Sequence, residues 1–320
     1  MLDSLNYSIL GIFPQYIIKF KERFRRCHSN YVYTFSYKSV HFNYYLLHRT
    51  LTLTTHTQRI LKRLDVTEND VDEYLQKLIS IIKEVVNLKV IKLNLTRCDY
   101  CIDVPVSSNE ELQEIFNLLN KHHSRFKYIT ANQIYENSRY LCKPNSSVNI
   151  NIYDKFSQIL NVYGYEDERY RNIIRVELQL KKNKIKKLYN RDNLQRDVKN
   201  YWCKETMQRE YFKYLQDYLY LGDYYKLSIA ESKINSSSYS KTIKKNLINF
   251  IKKINSKGIT TVTKNMSYNT TQKYTMLLTN LNLNPITISN NSKFDYIQNI
   301  LVRVIDIADK TKFNNETDKK

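Results

Sequence analysis

Three segments of this chain alternate apolar and polar residues with a period of two, and their polar positions are filled by groups that can do chemistry. In TRCDYCIDV (96–104), Cys98, Ile102 and Val104 fall on one side, and Arg97, Asp99 and Asp103 on the other. In VNINIYDK (148–155), Val148, Ile150 and Ile152 oppose Asn149, Asn151, Tyr153 and Lys155. In IIRVELQLKK (173–182), Ile174, Val176, Leu178 and Leu180 oppose Arg175, Glu177, Gln179 and Lys181. Successive side chains of a strand point to opposite faces, so each segment predicts a strand with one core face and one polar face. A sheet with one wet side is ordinary for antiparallel strands, which by itself accounts for the pattern. The polar positions, however, gather three carboxylates, two arginines, a tyrosine and two lysines rather than interchangeable Thr and Ser.

The rest of the chain supplies helices and more strands. Residues 1–65 run in short, aromatic, basic, β-rich stretches. Asp65 to Leu88 predicts a helix, with Thr67 as cap and Val71, Tyr74, Leu75, Leu78, Ile79, Ile82, Val85 and Val86 at helical spacing. Ser108 with Glu111 predicts a capping box before an apolar face of Leu112, Ile115, Phe116 and Leu119. Further strands are expected at 125–135, 147–155 and 172–181, with helices from 193 to 231. The expected fold is α+β: a central, mostly antiparallel sheet with helices packed on one face, then a small basic helical domain.

That last domain is read from a shift in composition. From Ser232 to Phe294 there is no Asp or Glu, while Lys recurs, at 241, 244, 245, 252 and 253 among other positions. The Ser-rich run 234–240 predicts a hinge, followed by a helix at 241–256 stopped by Gly258, a helix near 270–281, a short strand at PITI (285–288) and a helix at 292–308. The expected division is 1–195 for the chemistry, 196–231 as helical connector, and 232–320 as a helix-turn-helix or winged-helix-like domain. Its Lys241, Lys244, Lys245, Lys252 and Lys253 are the candidate DNA contacts. A solvated lysine-rich surface explains the same pattern equally well.

Charge narrows the partners. Against 31 Asp and Glu stand 51 Lys and Arg, a formal net charge of +20. Such an excess repels itself unless a polyanion is bound, and nucleic acid is the commonest one. The 28 tyrosines beside only 4 glycines and 4 prolines also reflect codon bias toward Lys, Asn, Ile and Tyr. The opening MLDSLNYSILGIF has too short an apolar run for a secretion signal, and no run approaches a membrane span, so no membrane partner is expected. Five cysteines without framework spacing predict reduced thiols in a cytoplasm. Cys98 and Cys101 lack a second ligand pair, and on a strand they point to opposite faces, so they are expected to be structural.

The residues on the polar strand faces suit phosphodiester cleavage. Carboxylate and amide oxygens bind Mg²⁺ or Mn²⁺, which polarises a phosphate. A tyrosine hydroxyl, with a pKa of about 10, needs a cation or base nearby to act as nucleophile. Lys155 is expected on the same face as Tyr153. Arg97 and Arg175 either hold phosphate oxygens or form structural ion pairs with Asp99 or Glu177.

In order and spacing, the three segments resemble the R-x-D, Y-D-K and R-x-E blocks of rolling-circle initiators. The tract from about 45 to 190 is similar to the filamentous-phage gene II/X replication proteins and their plasmid relatives, and SYNTTQKYTMLLTNLNLNPITI resembles that family's C-terminal region. The resemblance implies a nuclease related to the HUH endonucleases, working in a bacterial cytoplasm. Such an enzyme nicks one strand at a replication origin, keeps the 5′ phosphate on a tyrosine, and later rejoins the strand. It implies Tyr153 as nucleophile, with Tyr189 or Tyr201 as alternatives from related plasmid initiators, and Lys155, Arg97 and Arg175 as catalytic partners. It also implies a divalent ion, for which Asp99, Asp103, Glu177 and Gln179 are candidate ligands, Glu177 first. Single- and double-stranded origin DNA, a host helicase and a second copy of the chain are the partners it suggests. The chain departs from the pattern in having no His-hydrophobic-His motif, and the adjacent His122 and His123 are expected in solvent at the end of a helix. A non-catalytic origin binder or regulator, and a single-strand binder that stacks bases on tyrosine, are the competing expectations.

Overall fold

The computed structural model describes residues 2–26, 31–64, 66–122, 137–141 and 147–310. Nine strands form one large antiparallel sheet: β1 (Leu2–Leu10), β2 (Arg25–Arg26), β3 (Val32–Tyr37), β4 (Val40–Tyr45), β5 (Thr50–His56), β6 (Asn94–Pro105), β7 (Ser138–Leu141), β8 (Val148–Asp154) and β9 (Ile173–Leu180). Their order is β2-β3-β4-β5-β1-β6-β9-β8-β7. The helices are α1 (Phe20–Arg23), α2 (Thr57–Leu61), α3 (Val71–Lys83), α4 (Asn109–Lys121), α5 (Lys155–Tyr163), α6 (Lys182–Asp192), α7 (Lys204–Leu219), α8 (Leu227–Ser236), α9 (Lys241–Lys257), α10 (Ile259–Lys264), α11 (Tyr268–Thr279) and α12 (Ile300–Lys310). The α+β class expected from the sequence is the class observed. The chain forms two compact units, one of residues 1–101, 145–149 and 177–207, the other of residues 102–144, 150–176 and 208–320.

In the first unit, rows of opposed residues cross β3, β4, β5, β1 and β6. One row, Phe35–Phe42–Leu53–Tyr7–Leu95, lies on the core face, and the next, Ser36–His41–Thr54–Asn6–Arg97, lies on the polar face. Phe42, Leu53, Tyr7 and Leu95 are buried, whereas Thr54, Asn6 and Arg97 are half-buried and Ser36 and His41 exposed. Helix α3 closes the core face through Leu78 and Ile82, and its Tyr74 hydroxyl lies 2.5 Å from Thr55 Oγ1 and accepts from Tyr7 at 3.4 Å. The predicted helix from Asp65 to Leu88 is shorter than expected. Thr67 caps a 3₁₀ turn (Glu68–Asp70) with a reciprocal capping box to Asp70, and α3 begins only at Val71. The backbone from Glu84 to Val86 turns to accept and donate outside the helix, including a bond from Ile18 N–H to Val85 O.

In the second unit, α4 is capped by Ser108, which accepts from Glu111 N–H, and buries Leu112, Ile115, Phe116 and Leu119 as predicted. The Glu111 carboxylate accepts from Ser107 N–H and Oγ, and also from the Arg303 guanidinium of α12, a buried ion pair. Helix α9 buries Leu247, Phe250, Ile251 and Ile254 on one side, and Gly258 at φ +75° ends it as predicted. Ser236 lies within α8, so the 234–240 run is only partly a connection; Ser240 caps α9. PITI does not form the expected strand: Ile288 makes only an isolated bridge to Lys226, and Ile286 and Ile288 are buried. Instead of spanning 292–308, the last helix begins at Ile300. The expected helix near 270–281 occupies Tyr268–Thr279. The strand expected at 125–135 lies outside the described residues.

A buried polar node organises the turn after α7. Asp223 accepts from Asn299 N–H, Asn282 Nδ2 and the Tyr296 hydroxyl, at 2.8–3.1 Å. Asn284 and Asn299, both buried, donate to the carbonyls of Tyr220 and Gly222. Gly222 has φ +88°, and a Cβ there would overlap the backbone carbonyl of Leu283. Neither the backbone angle nor the space admits a side chain. Among the described residues no helix is long and apolar enough to cross a membrane. Gly222→Ala is expected to cost about 2 kcal/mol or more, measured by urea denaturation against the parent chain.

Candidate functional site

The sequence-predicted residues fall into two clusters, one in each unit. In the first unit the pairing of β5, β1 and β6 sets His56, Ser4 and Asp99 in one row on the polar face, with Asn6 opposite Arg97 in the next. Asp99 is 3% exposed, and both its oxygens accept from Arg97, Oδ1 from Nε at 2.8 Å and Oδ2 from Nη2 at 2.6 Å. Burial pushes the Asp99 carboxyl up to about 6, against the opposing pull of the Arg97 guanidinium, with Glu177 and Asp3 adding to the rise. Burial also works against the charge on Arg97, but Asp99, Glu177 and Asp3 raise its pKa overall. Gln179 Oε1 accepts from Asn149 Nδ2 at 3.4 Å.

The sequence pattern gives no notice of His56 or Asp3. His56 Nδ1 lies 3.0 Å from Ser4 Oγ, which donates to Asp3 at 3.3 Å. Burial lowers the His56 pKa, Asp3 resists that, and Arg59 and Arg97 add to the lowering. Imidazole, carboxylates and a guanidinium therefore share one patch of the polar face, which becomes visible only once strand register is known. His56 closes the alternating run TLTLTTH, the single clue in the sequence.

In the second unit the tyrosine strand ends one residue sooner than expected. Lys155 is the first residue of α5 rather than the last of β8, because Asp154 caps the helix: its Oδ1 accepts from Phe156 and Ser157 N–H, and Oδ2 from Ser157 Oγ. The acid of the Y-D-K block thus has a structural task. Lys155 still stands over Tyr153, its ammonium 5.9 Å from that ring centroid and 5.6 Å from the ring of Tyr170, while donating to Gln158 at 2.8 Å. Tyr153 is 8% exposed. Arg175 is buried and grips Asp103 bidentately, Nε to Oδ1 at 2.5 Å and Nη2 to Oδ2 at 2.6 Å. Its guanidinium carbon lies 5.9 Å from the ring of Tyr170. Tyr170, which the sequence does not single out, therefore has Lys155, Arg175 and Arg169 all within 6 Å of its ring centroid.

Of the two readings for the arginines, the structure holds both as ion pairs, Arg97 with Asp99 and Arg175 with Asp103. The alternative nucleophiles differ sharply. Tyr201 is fully buried and its carbonyl accepts from the Tyr100 hydroxyl, whereas Tyr189 is 40% exposed beneath Arg196. His122, expected in solvent, is half-buried, 2.9 Å from the Tyr224 hydroxyl and stacked on Tyr220; His123 lies outside the described residues. Cys98 and Cys101 are both buried.

Two of the four predicted metal donors are already engaged. Asp99 and Asp103 each give both oxygens to a guanidinium, and among the described residues no three His, Cys, Asp or Glu side chains gather to hold an ion. Away from the sheet, Lys241, Lys244 and Lys245 line a cleft of about 300 Å³ with Asn235, Ile248 and Asn249. Lys244 donates to Asn235 O at 2.7 Å, Lys252 pairs with Glu231 at 3.0 Å, and Lys253 is exposed. Compared with protein-family models and with curated proteins, the chain matches none.

The Asp99 carboxyl is expected to titrate near pH 6 in carbon-13 NMR, well above the ordinary carboxylate range. Its folded pKa is the raised one, so the stability linked to this group is present below about pH 4 and is lost as pH rises through about 6. Arg97→Ala should move the midpoint higher still, because the opposing guanidinium is gone; a midpoint that falls contradicts the assignment.

Proposed function

We propose that this protein is a DNA-binding replication initiator that nicks one strand at an origin through a 5′-phosphotyrosine on Tyr153 and later rejoins it. The observation that carries the reading is the cation-lined phenol pair: Lys155 placed between Tyr153 and Tyr170, with Arg175 beside the second ring. Cations held against a phenol ring are groups that could steady a phosphate brought to it. In the reaction the Tyr153 oxygen attacks phosphorus, the bond to the 3′ oxygen breaks, and the phenolic proton ends on the released 3′ hydroxyl. The requirement for Mg²⁺ or Mn²⁺ belongs to the same proposal; it comes from the resemblance of the strand blocks, and no step is assigned to the ion.

The net charge of +20 supports a polyanionic partner, and the lysine cleft on α9 is the proposed duplex contact. In this reading, the consecutive helices α9, α10 and α11 serve as the helix-turn-helix-like reader, and the protein works in the cytoplasm of a bacterial host. The closed pairs Arg97–Asp99 and Arg175–Asp103 favour a second reading, an origin binder without chemistry, because guanidiniums already satisfied by carboxylates have less to offer a phosphate.

A supercoiled origin plasmid separates the two. Open circles and an SDS-stable protein–DNA adduct, both abolished by EDTA, are expected of the enzyme; binding without either product is the mark of the second reading. Tyr153→Phe should abolish the adduct while origin binding persists, and an adduct in that variant transfers the role to Tyr189 or another phenol. Replacing Lys241, Lys244 and Lys245 by Ala should weaken duplex binding at all sequences. It should also flatten the log–log salt slope by up to about 3, since each neutralised phosphate contributes about 0.9. A slope that does not change removes α9 from the interface.

A further inference from the structure

Aromatic rings follow one another from the end of α5 toward the proposed nucleophile, exposed at Tyr163 and Tyr165, half-buried at Tyr170 and buried at Tyr153. Tyr163 and Tyr165 are each 54% exposed, with ring centroids 6.1 Å apart. Two neighbouring rings in solvent offer faces on which bases can stack. Arg169 is within electrostatic reach of Tyr165, and its guanidinium carbon is 5.8 Å from the ring of Tyr170. Lys155 then lies between the rings of Tyr170 and Tyr153. Rings and cations thus alternate along one stretch of the second unit. The same arrangement recurs beside it, where Arg171 covers the ring of Phe156 at 4.5 Å.

The cations of this stretch are largely neutralised. Arg169 binds Asp167 through Nε and Nη2 at 2.9 and 2.6 Å, and Arg171 binds Glu168 through the same two atoms at 2.5 Å. The acids hold the guanidinium planes in place while cancelling their long-range pull. What remains is a set of flat faces of suitable chemistry for stacking: phenol rings and fixed guanidiniums. Duplex DNA hides its base faces within the stack, whereas a single strand presents them.

We propose that Tyr163, Tyr165 and Tyr170, with Arg169 and Lys155, form a stacking track that holds single-stranded DNA and delivers it to Tyr153. The inference rests on the nicking reading for its ligand and adds to it the surface that selects the unpaired strand. Stacking dominates its contribution, so the track is weakly dependent on salt, in contrast to the lysines of α9.

The test is fluorescence anisotropy of a labelled single-stranded oligonucleotide and of its duplex, with the full chain in EDTA. Tyr163→Ala with Tyr165→Ala should weaken single-strand binding about ten-fold or more, leave duplex binding unchanged, and do so equally at low and high salt. Tyr163→Phe with Tyr165→Phe should retain affinity, since the ring and not the hydroxyl is at work. Unchanged single-strand affinity in the alanine pair overturns the track, as does a loss that vanishes at high salt or falls equally on the duplex. The covalent adduct is read separately in the plasmid assay: a chain that nicks but binds single strands without these rings loses the track alone. One that binds through the rings but never nicks loses the enzymatic reading alone.

Discussion

A carboxylate on an inner strand of a sheet gives up most of its water, and unless a cation or donor replaces that water it protonates or destabilises the fold. Two bidentate pairs on the sheet answer it from opposite sides: Arg97 grips the buried Asp99, and the half-exposed Asp103 grips the buried Arg175. The two pairs differ in reach. Arg97 and Asp99 sit two residues apart on one strand, so their side chains share a face by the pleat alone. Arg175 and Asp103 come from different strands, and their pair ties β9 to β6. One member of each pair is buried, Asp99 in the first and Arg175 in the second, so removing its partner leaves a buried charge unpaired. A polyanion is one substitute: phosphate oxygens accept from the same guanidinium fork.

At Asp223 the second unit meets the same constraint with an amide, a hydroxyl and a backbone N–H in place of a guanidinium. Asp223, Asn284 and Asn299 are buried among Ile, Leu and Tyr side chains, and their oxygens and amides turn toward backbone groups of the loop around Gly222 and of the segments packed on it. Residues 284–288 form no strand: the Asn284 amide donates to the Leu219–Gly222 turn, and its Oδ1 accepts from Ile286 N–H in place of a neighbouring strand's carbonyl. The fixed turn carries Tyr224, whose hydroxyl meets His122 at the end of α4. Polar burial here specifies one backbone path, which apolar packing alone does less sharply.

Much of this is legible in the sequence, and the departures share a cause. Period-two alternation places β6, β8 and β9, and helical spacing with Ser108 and Thr67 places α4 and α3, because both signals are local. Lys155 reads as a strand residue because Asp154 fits a strand and a helix cap equally well, and the backbone takes the cap. His56, Asp3 and Tyr170 are invisible in the sequence because their importance comes from register and from a 3₁₀ turn (Glu168–Tyr170) that swings a ring toward residues from β9 and α5. PITI looks β-forming by composition, yet the competition from Asn side chains for its backbone partners decides otherwise. The arginines read as two equal alternatives, since a guanidinium beside an acid in sequence says nothing about what else it meets in space.

Where the charge sits matters more than its sum. Many of the arginines are bound to acids: Arg63, Arg97, Arg169, Arg171, Arg175, Arg191 and Arg303 all form ion pairs. The acid-free stretch 232–294, by contrast, carries its excess as lysine, a flexible point charge suited to tracking phosphates without fixed geometry. Long-range attraction, which scales with net charge and is screened by salt, therefore falls chiefly to lysine. Oriented, short-range contacts fall to arginine planes already held by Asp and Glu, where geometry rather than charge discriminates. A chain built this way keeps its mobile charge and its oriented charge on different residue types, and the two respond differently to ionic strength.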